Sequence, residues 1–280
     1  MLNKFILEPL KSLGRLLIRK SSFYLSTFGT HGPNFVQNGM IMALESMNTI
    51  RSVKTPYGSL KFVISNEIEK MRIDKFFSKE PETLSWLDKT ITPSSVLYDV
   101  GANIGQYSLY AAHMFAQPIS VVAFEPESLN FSRLNQNIYL NNQNNYVKAF
   151  CMGLDLQSKI SKLNLSIFKA GCSLHSTRAL KNRTEVYSQG CVSYALDDFI
   201  IAAPFLPFPT HIKMDVDGTE LEILKGASNT LKNLTLKHLL VELEQEQREE
   251  ALHFLSTFNF NLIKVTPLTE TVGNYIFYRK

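Results

Sequence analysis

The chain has 280 residues, 45% of them hydrophobic and 19% charged, with a formal net charge of +4. At about 100–200 residues per domain this is one large domain, or one domain with an appendage. The balance excludes disorder over most of the length, and no apolar run reaches the roughly 18 residues needed to span a bilayer. Three cysteines, Cys151, Cys172 and Cys191, are spaced too widely for a zinc knuckle or a redox pair. They read as reduced thiols of a cytoplasmic protein.

Residues 1–50 read as an N-terminal helical extension. Ile6, Leu10, Leu13 and Leu17 fall on one helical face, with Lys4, Lys11, Arg15 and Arg19 opposite. Such a helix fits either an anionic membrane surface, through residues 1–20, or a packed position on its own domain or a partner subunit. A transit peptide is a third reading. A secretory signal is excluded, because Glu8, Pro9, Lys11 and Arg15 interrupt the apolar stretch and no small-residue cleavage site follows. Lys4, Lys11, Arg15, Arg19 and Lys20, set against Glu8 and Glu45, carry most of the net +4.

Residues 51–95 form a lead-in. VKTPYGSLKFVI (53–64) reads as two short strands around a Pro-Tyr-Gly-Ser turn, and the run from Lys79 to Thr83 opens a helix through Trp86 and Leu87.

From residue 96 to 280, strands and helices alternate. Strands are expected at Val96–Val100, Ser120–Phe124, Val147–Leu154, His211–Val216, His238–Glu242, Phe260–Val265 and Tyr275–Tyr278. Helices are expected at Gly105–Ala116, Ser128–Leu140, after a Thr219-x-x-Glu222 capping box, and at Glu246–Phe258. This predicts an α/β fold with a mostly parallel seven-stranded sheet covered by helices on both faces. The last two strands have no helix between them, so at least one should run antiparallel.

The strongest local motif is Asp99-Val100-Gly101-Ala102-Asn103-Ile104-Gly105, between a strand and a helix. Glycines let the backbone approach a ligand, and a helix start offers free N–H groups. The dinucleotide pattern G-x-G-x-x-G would need glycine at Asn103 and Gln106. The spacing instead matches D-x-G-x-G-x-G with Asn in the middle slot. A leading acid suits an amino group better than a pyrophosphate, so a ligand with an ammonium and a carboxylate fits, as at the methionine end of S-adenosylmethionine. Glu125 ends the next strand, where an acid accepts from ribose hydroxyls. The adenine is then expected beside Met152-Gly153-Leu154, on position alone. Asp215 and Asp217 end the fourth strand before a helix. They read either as base or metal-holding acid for a weakly acidic hydroxyl, or as a cap and a backbone anchor. His175 lies in the insert before that strand, as a solvated loop residue or as part of a cover over substrate. Glu242 and Glu244 end the fifth strand, where they either line the acceptor pocket or form a polar strand end. No metal site is assigned.

DVGANIGQYS (99–108), FEPESLNFSRLNQNI (124–138), SYALDD (193–198) and IKMDVDGTELEILKGA (212–227) together resemble the FkbM-family methyltransferases, and KEPETLSWLD (79–88) resembles the family's lead-in. The resemblance spans about residues 55–245. It implies a Rossmann-like class I methyltransferase fold, S-adenosylmethionine as donor, and O-methylation of sugar hydroxyls in polysaccharides or glycolipids, or of small metabolites. By the resemblance, Asp99, Gly101, Asn103 and Gly105 surround the methionine part of the donor, Glu125 its ribose, and Asp215 and Asp217 form the acidic strand end. The family's common form has Glu where Asp217 stands, one carbon longer. Rival readings are a nucleic-acid or protein methyltransferase, a nicotinamide-dependent oxidoreductase, and a non-catalytic scaffold. Asp215-Val216-Asp217-Gly218 lacks the Pro-Pro-aromatic turn on which an extruded base would stack, and the nearly neutral catalytic region lacks a phosphate-tracking stripe. No nucleic-acid partner is expected.

Overall fold

The computed structural model describes residues 49–173, 175 and 184–280. The amphipathic stretch expected at residues 1–20 lies outside them. The first described element is a hairpin, β1 (Thr49–Thr55) and β2 (Gly58–Ile64), turning at Pro56-Tyr57. Two helices follow, α1 (Glu67–Asp74) and α2 (Pro81–Thr90). Asn66 caps α1 by accepting from the N–H groups of Ile68 and Glu69. Pro81 opens α2, where its fixed φ suits the first turn and its missing N–H costs nothing.

The central sheet has seven strands. They are β3 (Val96–Val100), β4 (Ser120–Phe124), β5 (Val147–Phe150), β9 (His211–Met214), β10 (His238–Glu244), β11 (Asn261–Pro267) and β12 (Val272–Tyr278). Their order is β5-β4-β3-β9-β10-β12-β11. Every pairing from β5 to β10 is parallel, and β12 runs antiparallel to both β10 and β11. The expected seven-stranded, mostly parallel sheet is therefore present, with its one reversed strand where a helix is missing between β11 and β12. Chain order reverses between β3 and β9, which creates a crevice at the carboxyl ends of those strands.

Alternation along each strand fills two cores. Leu97, Val121, Ala123 and Leu240 point to one face. There they meet α2, α3 (Gln106–Ala112), α4 (Ser128–Leu140) and the hairpin residues Leu60 and Phe62. Tyr98, Val100, Phe124, Met214 and Val241 point to the other. They pack with α5 (Leu196–Ala202), α6 (Glu220–Lys225), α7 (Ser228–Lys232) and α8 (Gln245–Ser256). Residues 49–95 thus share one hydrophobic cluster with the sheet.

Three local expectations are corrected. The strand expected over Val147–Leu154 is two strands, β5 and β6 (Gly153–Leu154), and β6 joins β7 (Lys159–Leu165) and β8 (Tyr187–Tyr194) in a separate three-stranded sheet. The helix expected to reach Ala116 ends at Ala112, where the His113 N–H folds back onto the carbonyls of Leu109 and Tyr110. Thr219 precedes α6, but its side chain makes no capping bond.

Candidate active site

At the carboxyl end of β3 the chain turns sharply. Gly101, Asn103 and Gly105 all have left-handed φ, at 80°, 50° and 89°. Glycine adopts this freely, and Asn tolerates it better than most residues. The N–H groups of Gly101 and Ala102 both donate to the carbonyl of Phe124, 3.0 Å away. Gly101 is required for a second reason: a Cβ there would lie 1.9 Å from the carbonyl oxygen of Asp215. The turn after β3 and the exit of β9 are therefore in backbone contact.

The turn also fixes Glu125. The Asn103 N–H donates to Glu125 Oε2 at 2.8 Å, and the Glu127 N–H to Oε1 at 2.9 Å. Burial pushes the Glu125 carboxyl up to about 7 against these two stabilising bonds. The Asn103 amide donates to the carbonyl of Cys172, which Asn130 also reaches. These bonds tie the insert after β7 to the turn.

Gly101, Asn103, Glu125, Asp215 and Asp217 line a common cavity of about 170 Å³, together with Glu242, His175, Arg72 and Lys79. Asp99 lies beneath it, fully buried. Its Oδ2 accepts from Ser108 Oγ at 2.6 Å, and its Oδ1 lies 3.4 Å from Lys213 Nζ. Gly105 caps the start of α3, its Cα hydrogens against Leu134. Gly153 pairs with Ser193 in the small sheet and backs onto Pro126. These last three residues stand behind the cavity wall.

The residues 99–262 match the family described as the methyltransferase FkbM domain. The chain belongs to the FkbM methyltransferase family. Hexuronic acid methyltransferase AglP of Haloferax volcanii is 25% identical over 174 residues, covering 62% of this chain and 66% of AglP, just under two thirds of its length. Methyltransferase 1 of Beauveria bassiana is 26% identical over 196 residues, 65% of this chain and 77% of that protein. Among solved structures, methyltransferase FkbM from Methylobacillus flagellatus aligns with a TM-score of 0.47 at 15% identity, covering 77% of this chain and 56% of that one.

In this FkbM domain the acidic strand end is electrostatically organised. Lys213 is buried on β9, 3.3 Å from Asp215 Oδ2 and near Asp99, with its ammonium 5.1 Å from the Tyr107 ring. Burial alone would lower the lysine, but Asp215, Asp99 and Glu80 hold it above its ordinary value. Burial would raise Asp215, yet Lys213, Lys79 and Arg72 hold it below the usual carboxylate range, so it is ionised at neutral pH. Glu242 is pushed the other way, up to about 9, by burial and then by Asp215, Glu80 and Asp217. Asp217 Oδ2 accepts the His175 N–H at 3.0 Å, which places this histidine at the cavity. Neither ring nitrogen of His175 has a partner among the described residues, and burial, then the Arg72 charge, push the ring down to about 4. His175 is therefore a neutral part of the wall, and the solvated-loop alternative does not hold. Arg72 and Lys79 come from the lead-in: no motif marked Arg72, and Lys79 opens the KEPETLSWLD stretch, where no site role was read for it.

Proposed function

We propose that the protein transfers the methyl group of S-adenosylmethionine to a hydroxyl oxygen of a sugar, in a polysaccharide or glycolipid, or of a small metabolite. One observation carries the reading. The Asn103 N–H donates to Glu125 across adjacent strand ends, on the wall of a cavity whose far side is Asp215 and Asp217. An acid with lone pairs left after two backbone bonds suits ribose hydroxyls, and the left-handed turn at Gly101–Gly105 lets a methionine moiety approach the backbone. Asp99 shapes this turn from below through Ser108 and Lys213, Gly105 starts the helix behind it, and Gly153 borders the side where an adenine would sit.

When bound, the donor supplies a methyl carbon activated by a positive sulfur. The protein's part is to hold an acceptor oxygen in line with that carbon and to exclude water. Asp215, held ionised, and Asp217 orient the acceptor hydroxyl and take its proton as the oxygen–carbon bond forms. With the donor bound, the electron pair of its carbon–sulfur bond would leave with the sulfur. The name of AglP supports a sugar acceptor. The absence of a stacking aromatic in residues 215–218 speaks against an extruded base. The reaction we propose is cytoplasmic, either in solution or at a membrane surface reached through residues 1–20. No helix among the described residues is long and apolar enough to cross a membrane.

The test is a thermal melt with S-adenosylhomocysteine, S-adenosylmethionine and NADH. A ligand at about 100 times its dissociation constant stabilises by about 2.7 kcal/mol, or roughly 5–10 °C in a domain of this size. A shift with the two sulfur nucleosides and none with NADH is expected. The reverse pattern would overturn the donor assignment. Asp215→Asn should keep that shift and lose turnover; unchanged turnover would remove Asp215 from the reaction.

A further inference from the structure

We propose that Arg72 is a carboxylate-binding site in the cavity roof, where the free arms of its guanidinium take the anionic end of a bound ligand. Arg72 sits on α1 and is 8% exposed. Its Nε donates to the carbonyl of Gly171, and its own carbonyl accepts from the Gln106 side chain at 3.1 Å. Beyond that Nε bond, the guanidinium has no partner among the described residues, and it faces the cavity.

The other buried or cavity-facing cations differ from it. Arg133 pairs with Glu69 at 2.6 Å, Lys213 lies between Asp99 and Asp215, and Lys79 pairs with Glu80. Arg279 has no carboxylate partner among the described residues, but its terminal nitrogens donate to the carbonyls of Leu231, Asn233 and Leu236. A largely buried cation whose terminal nitrogens open to a cavity and make no contact pair among the described residues is pre-arranged for an anion. The planar fork of a guanidinium matches a carboxylate in two parallel hydrogen bonds. The His175 ring beside it is neutral, and the ionised Asp215 feels the Arg72 charge without making a contact pair with it, since its partner at 3.3 Å is Lys213.

Two ligands could present that carboxylate: the methionine end of the donor, or an acceptor such as a uronic acid. The donor is favoured by position. Gln106, the first residue of α3, holds the Arg72 backbone, which sets the guanidinium by the turn that ends at Gly105. That arm rests on the proposed function.

The experiment is calorimetric titration of the full chain and of its Arg72→Gln and Arg72→Lys variants with four ligands. S-adenosylhomocysteine carries the carboxylate and 5′-methylthioadenosine lacks it; glucuronate and glucose form the matching acceptor pair. If the donor is the source, Arg72→Gln weakens S-adenosylhomocysteine about 10- to 100-fold, the usual worth of a charge-assisted pair. It leaves 5′-methylthioadenosine unchanged, and Arg72→Lys falls between. If the acceptor is the source, S-adenosylhomocysteine is unaffected and the preference for glucuronate over glucose disappears. A wild-type chain that binds glucuronate but no S-adenosylhomocysteine defeats the donor reading and leaves Arg72 to the glucuronate arm. Arg72→Gln affecting neither carboxylate ligand, or a wild type that binds neither, overturns the proposal. Glutamine keeps a donor toward Gly171, so the unliganded variant should melt near the wild type. If it does not fold, Arg72→Lys, which keeps the charge without the fork, decides by the same readouts.

Discussion

Replacing Gly101 with alanine would put a methyl group where backbone already stands. The position has φ of +80°, and the new Cβ would lie 1.9 Å from the Asp215 carbonyl oxygen and 2.9 Å from its carbon. The left-handed conformation alone costs an L side chain roughly 1–2 kcal/mol. The overlap cannot be relieved by rotating a side chain, because the obstacle is main chain. The exit of β9 must separate from β3, which breaks the 3.0 Å bond from the Asp215 N–H to the Val100 carbonyl, about 1 kcal/mol net. A total of about 2–3 kcal/mol lowers the melting temperature by roughly 4–12 °C for a domain of this size. Gly190→Ala is the control, since no atom lies within 4 Å of its built Cβ and its φ is outside the left-handed range. Its stability should move by no more than about 0.5 kcal/mol. Differential scanning calorimetry of both variants, with and without S-adenosylhomocysteine, reads the outcome. Gly101→Ala should also lose the ligand-induced shift, because the turn proposed to receive the donor is itself displaced. If it melts within about 2 °C of Gly190→Ala, a difference of no more than about 1 kcal/mol, and still binds ligand, the claimed contact between turn and strand is wrong.

Other consequences follow from the charges around the cavity. Lys213→Met leaves Asp99 and Asp215 without their shared cation and should cost about 3–5 kcal/mol at pH 7. In the wild type Asp215 lies below its ordinary 3.8, so its contribution is present above about pH 4 and fades as the pH drops through the lowered value. Without Lys213 burial dominates and the acid titrates higher, so the variant's deficit should shrink from pH 7 to pH 5 in urea melts; an equal deficit at both would refute the pairing. Glu242 lies at about 9 when folded against an ordinary 4.5, so the folded state holds the extra proton between those values and wild-type stability falls as the pH rises through them. Glu242→Gln, which mimics the protonated acid, should match the wild type near pH 5 and exceed it by at least about 1 kcal/mol near pH 9. Parallel pH curves for the two chains would show that Glu242 is not held protonated.

Much of the architecture was legible because it rests on local patterns. Short apolar runs such as Val96–Val100 and Ser120–Phe124, separated by helical stretches, specify buried parallel strands, and both occupy the expected residues. The turn residues from Asp99 to Gly105 were visible because φ demands leave a composition trace. The break between β5 and β6 was hidden, since residues 147–154 read as continuous strand while Gly153 and Leu154 pair with β8 some forty positions later. No window of sequence contains that pairing. The polar helix α1 concealed the most. EIEKMRID reads as a solvated helix, yet Glu69 and Arg72 are buried, one against Arg133 on α4 and the other beneath Gly171. Asp99 carried the opposite lesson. Its place in the motif suggested direct contact with a ligand, but it lies beneath the residues that line the cavity, with Oδ2 accepting from Ser108 and Oδ1 3.4 Å from the Lys213 ammonium.

The merging of the lead-in with the sheet bears on how this module could be exchanged among relatives. The family match begins at Asp99, but a fragment cut there would lose Leu60, Phe62, Trp86 and Leu87 from the cluster that covers Ile104, Leu109 and Tyr110. It would also leave behind Arg72 and Lys79, and with them one wall of the cavity. The smallest transplantable piece therefore starts at the hairpin, near Thr49. A chimera joined at that point carries every described residue of the core and the cavity, whereas one joined at the motif inherits an exposed apolar face and lacks one cavity wall.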